Sequence, residues 1–348
     1  MTRKNALIVC DHSLDPRLQK RKDWLVELGY DVDVYVDLSR GGHFKDRNLL
    51  EKPLTDLKVK LLDTSDLVYI SGAKVIISCF LFMLMARLKG KKVIYEIPDL
   101  PLRSRYNFKN KIIAFVFRRL VGALFSNIVV TSNGFLPHLP AGKNYFLCEN
   151  LPSVNIVKNI NSSNKVKRAG SELNFGFVGA LRYEEQMLML IKYCLETKNR
   201  ATFFGGPTTA INSLLEKCTQ RGIAVNDLVK FEGDFTHADL CGIYSNIDFV
   251  YSVYDSSQPN VKLALPNKLY EAFLFETPII VSKKTYLAEI VESEKIGFSV
   301  DSQDYNLFKS GMDANIKKSF LVSSDNIKIK IANHKENFIG WVTSLDKM

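Results

Sequence analysis

The feature that most constrains the fold is a repeated alternation of short apolar segments with longer helical segments. In the first part of the chain, strand patterns occur at ALIVCD, DVDVYV, DLVYIS, KKVIYEI and NIVVTS. Helical patterns lie between them, such as the one that begins at Pro16 and ends at Gly29, residues suited to a helix start and a helix end. Strands that alternate with helices in this way form parallel sheets covered by helices.

The alternation stops between residues 151 and 171, where the sequence becomes polar and rich in Asn, Ser and Lys. It then resumes, with strand patterns at LNFGFVG, RATFFGG, LVKFEG, IDFVYSV and PIIVS. We therefore predict two doubly wound α/β domains, residues 1–150 and residues 172–325, joined by a linker at 151–171. The last segment, 326–348, predicts a helix that packs back toward the N-terminal domain.

Composition narrows the class of protein. A chain of 348 residues that is 46% hydrophobic can bury a substantial core in each domain. Its six cysteines are scattered without a CxxC pair, which disfavours a zinc cluster or a disulfide framework and favours the cytoplasm. The N-terminal segment is typical of a first strand rather than a signal peptide. The apolar run Val75–Ala86 is shorter than the ~20 residues that span a bilayer, so we predict a buried helix there.

The net charge of +10 favours anionic partners. Nucleic acid is disfavoured, because no interleaved aromatic platform and no recognition motif accompanies the basic residues. Phosphorylated substrates and phospholipid headgroups remain as the anionic partners to consider.

The first strand-to-helix junction of the second domain, FGFVGALRYEEQ, has the outline of a phosphate site. Gly179 would let backbone approach a ligand, the following helix offers free N–H groups, and Arg182 can pair with an oxyanion. The alternative is a tight turn beside a solvated arginine. Neither domain has the GxGxxG spacing of a dinucleotide site at its first junction.

A second candidate site lies in LALPNKLYEAFLFETPIIVS, Leu263–Ser282, where Pro266 suits the start of a helix. Lys268 and Glu271 are three residues apart and therefore share one face of that helix. A lysine can neutralise phosphate, and a carboxylate can accept two hydrogen bonds from a vicinal diol such as ribose. The alternative is a surface ion pair that contributes a few tenths of a kcal/mol.

This segment, with its context, resembles the nucleotide-sugar site of GT-B glycosyltransferases, particularly the bacterial enzymes that build capsule, exopolysaccharide and O-antigen. The residues that match are Pro266, Lys268, Glu271 and Pro278, followed by the apolar strand IIVS. The resemblance continues, in order along the chain, in DPRLQKRKDWLVELGYDVDVYV, GKKVIYEIPDLP, FVGALR and KFEGDFTHADLCGIYSNIDFVYSV.

The resemblance implies a GT-B fold, in which two Rossmann-like domains with parallel sheets face a cleft. It implies that Glu271 holds the ribose hydroxyls and that Gly179, Arg182 and Lys268 surround the diphosphate of a nucleotide sugar. It also implies that no metal or other cofactor is needed. The DVD at Asp31–Asp33 imitates a metal-binding motif, but it lies within a predicted strand.

The chain departs from its relatives at two positions of this site. Leu263 stands where many relatives have a glutamate that touches the donor sugar, so the contacts to that sugar are left open. Glu276 stands where the turn before Pro278 usually has a glycine, which predicts a variant turn.

The acceptor side belongs to the N-terminal domain, where the loop YEIPDLPLRS follows a strand. Its Glu96 and Asp99 are candidates for the base that deprotonates an acceptor hydroxyl. Pro98 stands where relatives often have a histidine, which disfavours a histidine mechanism. Asp11 and His12 are rival candidates, and a capping or ion-pairing role for these carboxylates is the alternative.

The segment NFKNKIIAFVFRRLVGALFSN, residues 107–127, combines basic side chains with a broad apolar face. Such a basic amphipathic helix can lie on an anionic membrane. With the basic segment Arg17–Lys22 it predicts a membrane-facing patch; an ordinary packed helix is the alternative. The basic residues of the segment that we assign to this patch are Lys109, Lys111, Arg118 and Arg119.

We therefore predict a cytoplasmic glycosyltransferase, peripheral on the inner face of the plasma membrane. It would transfer a sugar from a nucleotide diphosphate to a hydroxyl of a lipid-linked or oligosaccharide acceptor in surface polysaccharide biosynthesis. Two alternatives stay open: a nucleotide-sugar 2-epimerase of the same architecture, and a non-catalytic, transferase-like partner subunit.

Overall fold

The protein divides into two compact units in its computed structural model. Unit 1 is Met1–Asn150 with Asn333–Met348, and unit 2 is Leu151–Ala332. His12 and most of the predicted linker lie outside the described residues. The structure describes residues 4–11, 16–37, 51–102, 108–158 and 172–347.

Unit 1 contains a sheet of seven parallel strands in the order β3-β2-β1-β4-β5-β6-β7. The chain runs outward from β1 to β3 and then returns to place β4 beside β1. Ligands in such sheets bind beyond the carboxyl ends of the strands, at the point where the order reverses. The strands are β1 (Lys4–Cys10), β2 (Tyr30–Val36), β3 (Glu51–Pro53), β4 (Leu67–Ser71), β5 (Lys92–Ile97), β6 (Asn127–Val130) and β7 (Asn144–Leu147).

Helices cover both faces of this sheet. Tyr95 of β5 packs against Phe117 of α5, with 6.5 Å between ring centroids, whereas the next residue, Glu96, pairs with Arg21 of α1. Because successive strand residues point to opposite faces, α1 and α5 lie on opposite sides of the sheet. The expected joint patch of Arg17–Lys22 with α5 is therefore wrong, and Arg21 is buried. The helices are α1 (Pro16–Glu27), α2 (Leu61–Thr64), α3 (Ala73–Ser78), α4 (Phe80–Leu88) and α5 (Phe108–Leu124).

The prediction of one buried helix over Val75–Ala86 is wrong in two respects. The segment forms two helices, α3 and α4, separated at Cys79, whose backbone is not helical. Ile77 is 78% exposed and Leu81 is 65% exposed. A segment that is apolar all round does not indicate which side its neighbours cover, so the exposed side was not visible in the sequence. None of the helices in the described residues is long and apolar enough to cross a bilayer.

Unit 2 contains a sheet of six parallel strands in the order β10-β9-β8-β11-β12-β13, so its reversal lies between β8 and β11. The strands are β8 (Asn174–Val178), β9 (Arg200–Phe204), β10 (Val229–Gly233), β11 (Phe249–Ser252), β12 (Ile279–Ser282) and β13 (Gly297–Val300). The helices are α6 (Val154–Lys158), α7 (Glu184–Thr197), α8 (Thr208–Gln220), α9 (Leu240–Ser245), α10 (Pro259–Leu263), α11 (Asn267–Leu274), α12 (Tyr286–Ser293), α13 (Tyr305–Asn315) and α14 (Asp325–Ser344).

The final helix, α14, contributes to the cores of both units. Ile327 and Ile331 are buried among apolar side chains of unit 2. Phe338 and Val342 are buried in unit 1, where the Phe338 ring lies 5.2 Å from that of Trp24 in α1. Phe338 and Val342 thus bury the second half of α14 in unit 1.

Candidate functional site

Two glycine turns lie at the carboxyl ends of the neighbouring strands β8 and β9. Gly179 follows β8 with a φ of +125°, and Gly205 follows β9 with a φ of +112°. A Cβ built on Gly205 would lie only 2.4 Å from the Gly179 carbonyl oxygen. A side chain is therefore excluded at Gly205 by both backbone conformation and space, and bare backbone lines this edge of the sheet.

Lys268 points from the first turn of α11 toward the Gly179 turn. Its Nζ would lie 3.3 Å from a Cβ built on Gly179, and it lies 4.4 Å from the centre of the Phe177 ring. It also donates a hydrogen bond of 2.7 Å to the Tyr254 hydroxyl. The residue is only 8% exposed, yet no carboxylate of the described residues forms an ion pair with it. Buried charges in proteins are normally paired, so an anion is the expected missing partner.

Tyr254, which follows β11, is held in place by the end of β12. Its backbone N–H donates to the Ser282 hydroxyl at 2.7 Å, and that hydroxyl donates to the Tyr254 carbonyl oxygen at 2.6 Å. The Tyr183 ring also lies against the Tyr254 ring, with 5.5 Å between centroids. The hydroxyl that contacts Lys268 therefore has a fixed position. Nothing in our reading of the sequence singled out this tyrosine.

Glu271 lies one turn further along α11, on the same side as Lys268. Its Oε2 accepts a hydrogen bond of 2.6 Å from the hydroxyl of Tyr244, a buried residue of α9. Burial raises the pKa of the Glu271 carboxyl, while the Tyr244 hydrogen bond and the charge of Lys268 partly oppose this rise. The carboxyl is thus oriented by a protein donor and can accept further hydrogen bonds from a ligand.

Glu276 lies in the turn after α11, at the position where the sequence comparison above expects a glycine. Its φ is +52°, a left-handed conformation that costs a non-glycine residue on the order of 1 kcal/mol. The Glu276 carboxylate accepts hydrogen bonds from the Ser324 hydroxyl at 2.7 Å and from the Ser324 N–H at 3.3 Å. These bonds hold the strained turn in place and connect it to the segment before α14.

Arg182 lies in the turn before α7 and is exposed, and no described hydrogen bond or ion pair joins it to Lys268 or Glu271. The first turn of α7 carries Glu184 and Glu185, which pair with Lys217 of α8 and with Arg221 directly after it. The structure thus brings together Gly179, Lys268 and Glu271, and it leaves Arg182 at the surface nearby. Leu263, at the end of α10, supplies no carboxylate.

The structure corrects the assignment of Glu96 as a catalytic base. Glu96 is 0% exposed and lies within β5. Its Oε1 accepts a hydrogen bond of 3.1 Å from Arg21, and its Oε2 accepts one of 3.0 Å from the Tyr69 hydroxyl. A base must reach the proton that it removes, and this carboxylate is enclosed in an ion pair. Glu96 therefore has a structural role in unit 1.

Asp99 differs from Glu96, because it is exposed in the loop that follows β5. The loop is anchored next to it, where the Thr131 hydroxyl donates to the Pro98 carbonyl oxygen at 3.1 Å. The rival Asp11 lies at the β1–β4 reversal, where its carboxyl group packs over Gly72; a Cβ there would lie 2.6 Å from the Asp11 Cγ. Both carboxylates lie at the carboxyl edge of the sheet.

The predicted basic patch lies on α5, and all four of its basic residues are exposed. Neighbouring apolar side chains of α5 are also exposed, including Phe108, Ile112 and Phe115. The Arg119 guanidinium lies 5.2 Å from the centre of the Phe115 ring. The basic residues are Lys109, Lys111, Arg118 and Arg119.

Solved structures similar to this chain share its architecture over nearly the full length. HepE of Anabaena, in complex with UDP, is 15% identical and superposes with a TM-score of 0.70, covering 98% of this chain and 100% of HepE. Sucrose-phosphate synthase of Thermosynechococcus elongatus is 13% identical, with a TM-score of 0.63, covering 99% and 98% of the two chains. UDP-GlcNAc 2-epimerase of Methanocaldococcus jannaschii is 12% identical, with a TM-score of 0.57, covering 98% and 99%.

The two parallel sheets and these similarities define a protein with the GT-B fold. Residues 172–317, which contain Gly179, Lys268 and Glu271, match the family model of glycosyl transferases group 1. The chain therefore contains a glycosyl transferases group 1 domain, which lies within unit 2. A sequence search of curated proteins finds no match.

Proposed function

We propose that the enzyme transfers a sugar from a uridine diphosphate donor to a hydroxyl of a lipid-linked glycan during the synthesis of a bacterial surface polysaccharide. One observation carries the donor assignment. The Lys268 ammonium is buried, is held by Tyr254 and faces the Gly179 turn, and no carboxylate of the described residues pairs with it. The diphosphate of a nucleotide sugar supplies the missing negative charge.

Each residue of the site has a separate task in this proposal. Gly179 leaves room for the diphosphate, and Lys268 neutralises charge that builds up on it as the sugar leaves. Glu271, oriented by Tyr244, accepts hydrogen bonds from the two ribose hydroxyls. Arg182, exposed beside the turn, supplies a second positive charge to the phosphates.

The choice of uridine diphosphate rests on relatives. HepE of Anabaena has been solved with UDP and with UDP-glucose, and it shares the fold of this chain. We further propose that no metal ion is needed, because Lys268 takes the place of a divalent cation next to the phosphates. Activity that is unchanged by a chelator such as EDTA is the expected result.

The acceptor side of the proposal rests on unit 1. Asp99 is the proposed base, because it is exposed in the loop after β5 whereas Glu96 is enclosed. A lipid-linked acceptor and a location on the inner face of the plasma membrane are supported by the exposed basic and apolar side chains of α5.

The test is a screen of UDP-sugars with glycolipid extracts from bacterial envelopes, measured as UDP release and as incorporation of labelled sugar. Incorporation that requires both donor and lipid, and that is lost in Lys268→Met, is the expected result. Sugar transfer that survives Lys268→Met unchanged would reject the donor site.

The epimerase alternative is kept because the fold is shared with UDP-GlcNAc 2-epimerase of M. jannaschii. It is distinguished by incubating the enzyme with the donor alone. An epimerase would change the sugar of the donor without an acceptor, whereas the proposed transferase needs the glycolipid. The group 1 match over residues 172–317 favours transfer. A partner subunit without activity would be recognised by binding UDP without turnover of any donor.

A further inference from the structure

Unit 1 has an unusual concentration of exposed apolar side chains on α3, α4 and α5. Among the described residues, nine of the 14 large apolar side chains that are exposed fall between residues 77 and 116. Soluble proteins seldom leave a large contiguous apolar patch uncovered, and such patches mark interaction sites. The patch lies outside unit 2, which contains Lys268 and Glu271.

The sheet topology places these side chains at one edge. Strands β4 and β5 are parallel neighbours, α3 and α4 follow β4, and α5 follows β5. Both helical segments therefore begin at the carboxyl edge of the sheet, and α4 packs against α5. We refer to the exposed apolar side chains of these segments as the α3–α5 surface; its members include Ile77, Phe80, Leu81, Phe108, Ile112 and Phe115.

The charged residues of α3, α4 and α5 themselves all have one sign. Neither residues 73–92 nor residues 100–127 contain an aspartate or a glutamate. The exposed Lys109, Lys111, Arg118 and Arg119 form no ion pair with any described residue. Other lysines near this region are neutralised, as Lys89 is by Asp63.

We propose that the α3–α5 surface docks on an anionic phospholipid bilayer. The apolar side chains enter the interface, and the basic side chains of α5 contact the headgroups. A second copy of the chain fits less well, because it would bring together two sets of helices, α3, α4 and α5, that carry lysine and arginine but no carboxylate. The surface differs from the one that the sequence predicts, since α3 and α4 take the place of Arg17–Lys22.

This inference deepens the proposed function. It rests on that function for the lipid-linked acceptor. Asp99 lies in the loop between β5 and α5, at the same edge of the sheet as the α3–α5 surface. Docking through this surface brings the proposed base close to the bilayer, where a lipid-linked acceptor presents its hydroxyl.

The test is co-sedimentation of the full chain with vesicles. We expect retention on vesicles that contain phosphatidylglycerol, weak retention on pure phosphatidylcholine, and release by high salt. Each basic side chain near an anionic surface strengthens partitioning about fivefold, so Arg118→Gln with Arg119→Gln weakens it about 25-fold. Leu81→Ser, which lies outside α5, weakens it as well.

Matched controls lie on α1, across the sheet. Val26→Ser removes an apolar side chain that is 51% exposed. Arg17→Gln with Lys22→Gln removes two positive charges from the same unit. These variants should bind vesicles like the wild type. Equal losses in the α1 variants, or no retention of the wild type, would overturn the proposal. So would a dimer in solution that Leu81→Ser dissociates while vesicle retention is unchanged, because the surface would then join two copies.

UDP titration separates this inference from the donor site. All vesicle variants should bind UDP like the wild type, since none of them alters unit 2. Failure of the wild type to bind UDP, together with retention on anionic vesicles, would reject the donor site and leave the docking surface standing. The opposite pattern would reject only the docking surface.

Discussion

Replacing Lys268 by methionine tests the central feature of the site, a buried positive charge that forms no ion pair with a carboxylate of the described residues. Methionine keeps an unbranched apolar chain and can maintain a favourable contact with the Phe177 ring. It removes the ammonium that faces Gly179 and that is bonded to Tyr254. The change therefore deletes the charge while largely preserving the packing.

The expected loss of affinity follows from the burial of the ammonium. Because Lys268 is only 8% exposed, solvent screens its charge little. A hydrogen bond to a charged group contributes about 1.5–3 kcal/mol, so the Kd for UDP should rise about 10- to 150-fold. Without nucleotide, the free energy of unfolding should fall by no more than about 1 kcal/mol, because desolvation of the charge is also removed.

Isothermal titration calorimetry with UDP and with uridine distinguishes the phosphate contact from other effects. Lys268→Met should weaken UDP binding but leave uridine binding unchanged, since uridine has no phosphate. Lys230→Met, which removes an exposed lysine of β10, serves as the control and should alter neither. Equal weakening of both ligands, or no weakening of UDP, would refute the reasoning that Lys268 contacts the diphosphate.

Four further predictions concern the partners of Lys268 in the donor site and the two candidate bases of unit 1. Burial raises the Glu271 pKa, so the folded protein binds a proton on this carboxyl more tightly than the unfolded chain does. At a pH above the ordinary carboxyl pKa, the ionised Glu271 therefore lowers the free energy of unfolding. Glu271→Gln should therefore raise the urea midpoint of unfolding at pH 7, and this gain in stability should disappear as the pH falls toward 4.5. The same change should weaken the binding of UDP more than the binding of 2′-deoxy-UDP. Tyr254→Phe should raise the Kd for UDP about fivefold through the loss of one hydrogen bond to Lys268, without the larger loss of Lys268→Met. Glu96→Gln should lower the free energy of unfolding by about 3–5 kcal/mol, because it leaves the Arg21 charge buried and unpaired. Asp99→Asn should instead lower kcat with stability unchanged.

Each of these predictions has an outcome that contradicts it. A Glu271→Gln variant whose gain in stability over the wild type grows at low pH would show that the fold lowers the Glu271 pKa instead of raising it. Tyr254→Phe with wild-type affinity would show that Lys268 does not need its hydroxyl partner. A stable but inactive Glu96→Gln variant would restore Glu96 as a candidate for the catalytic base. An active Asp99→Asn variant would exclude Asp99 as that base.

Much of the fold was predictable because its signals are local. The strand patterns of the two halves and the helix end at Gly29 depend on neighbouring residues only, and parallel sheets follow from the alternation of strands and helices. The sequence also predicted that Lys268 and Glu271 share a helix face, since this depends only on a spacing of three residues within α11.

Burial and pairing were decided by the tertiary structure, because they depend on which elements become neighbours. Glu96 and Asp99 are three residues apart in the sequence, yet the packing of α1 on the sheet encloses Glu96 of β5 against Arg21 and leaves Asp99, after the strand, exposed. Tyr254 reaches Lys268 only because β11 and β12 pair and hold it through Ser282.

The sequence by itself determined the succession of helices and strands and the residue types placed at the strand ends, because both are set by local geometry. The tertiary structure alone decided that α1 and α5 cover opposite faces, and that α3 and α4 expose apolar side chains beside α5. It also decided that Lys268 is buried without a carboxylate among the described residues. Those facts follow from strand order, which brings distant segments together and determines whether a charge has a partner.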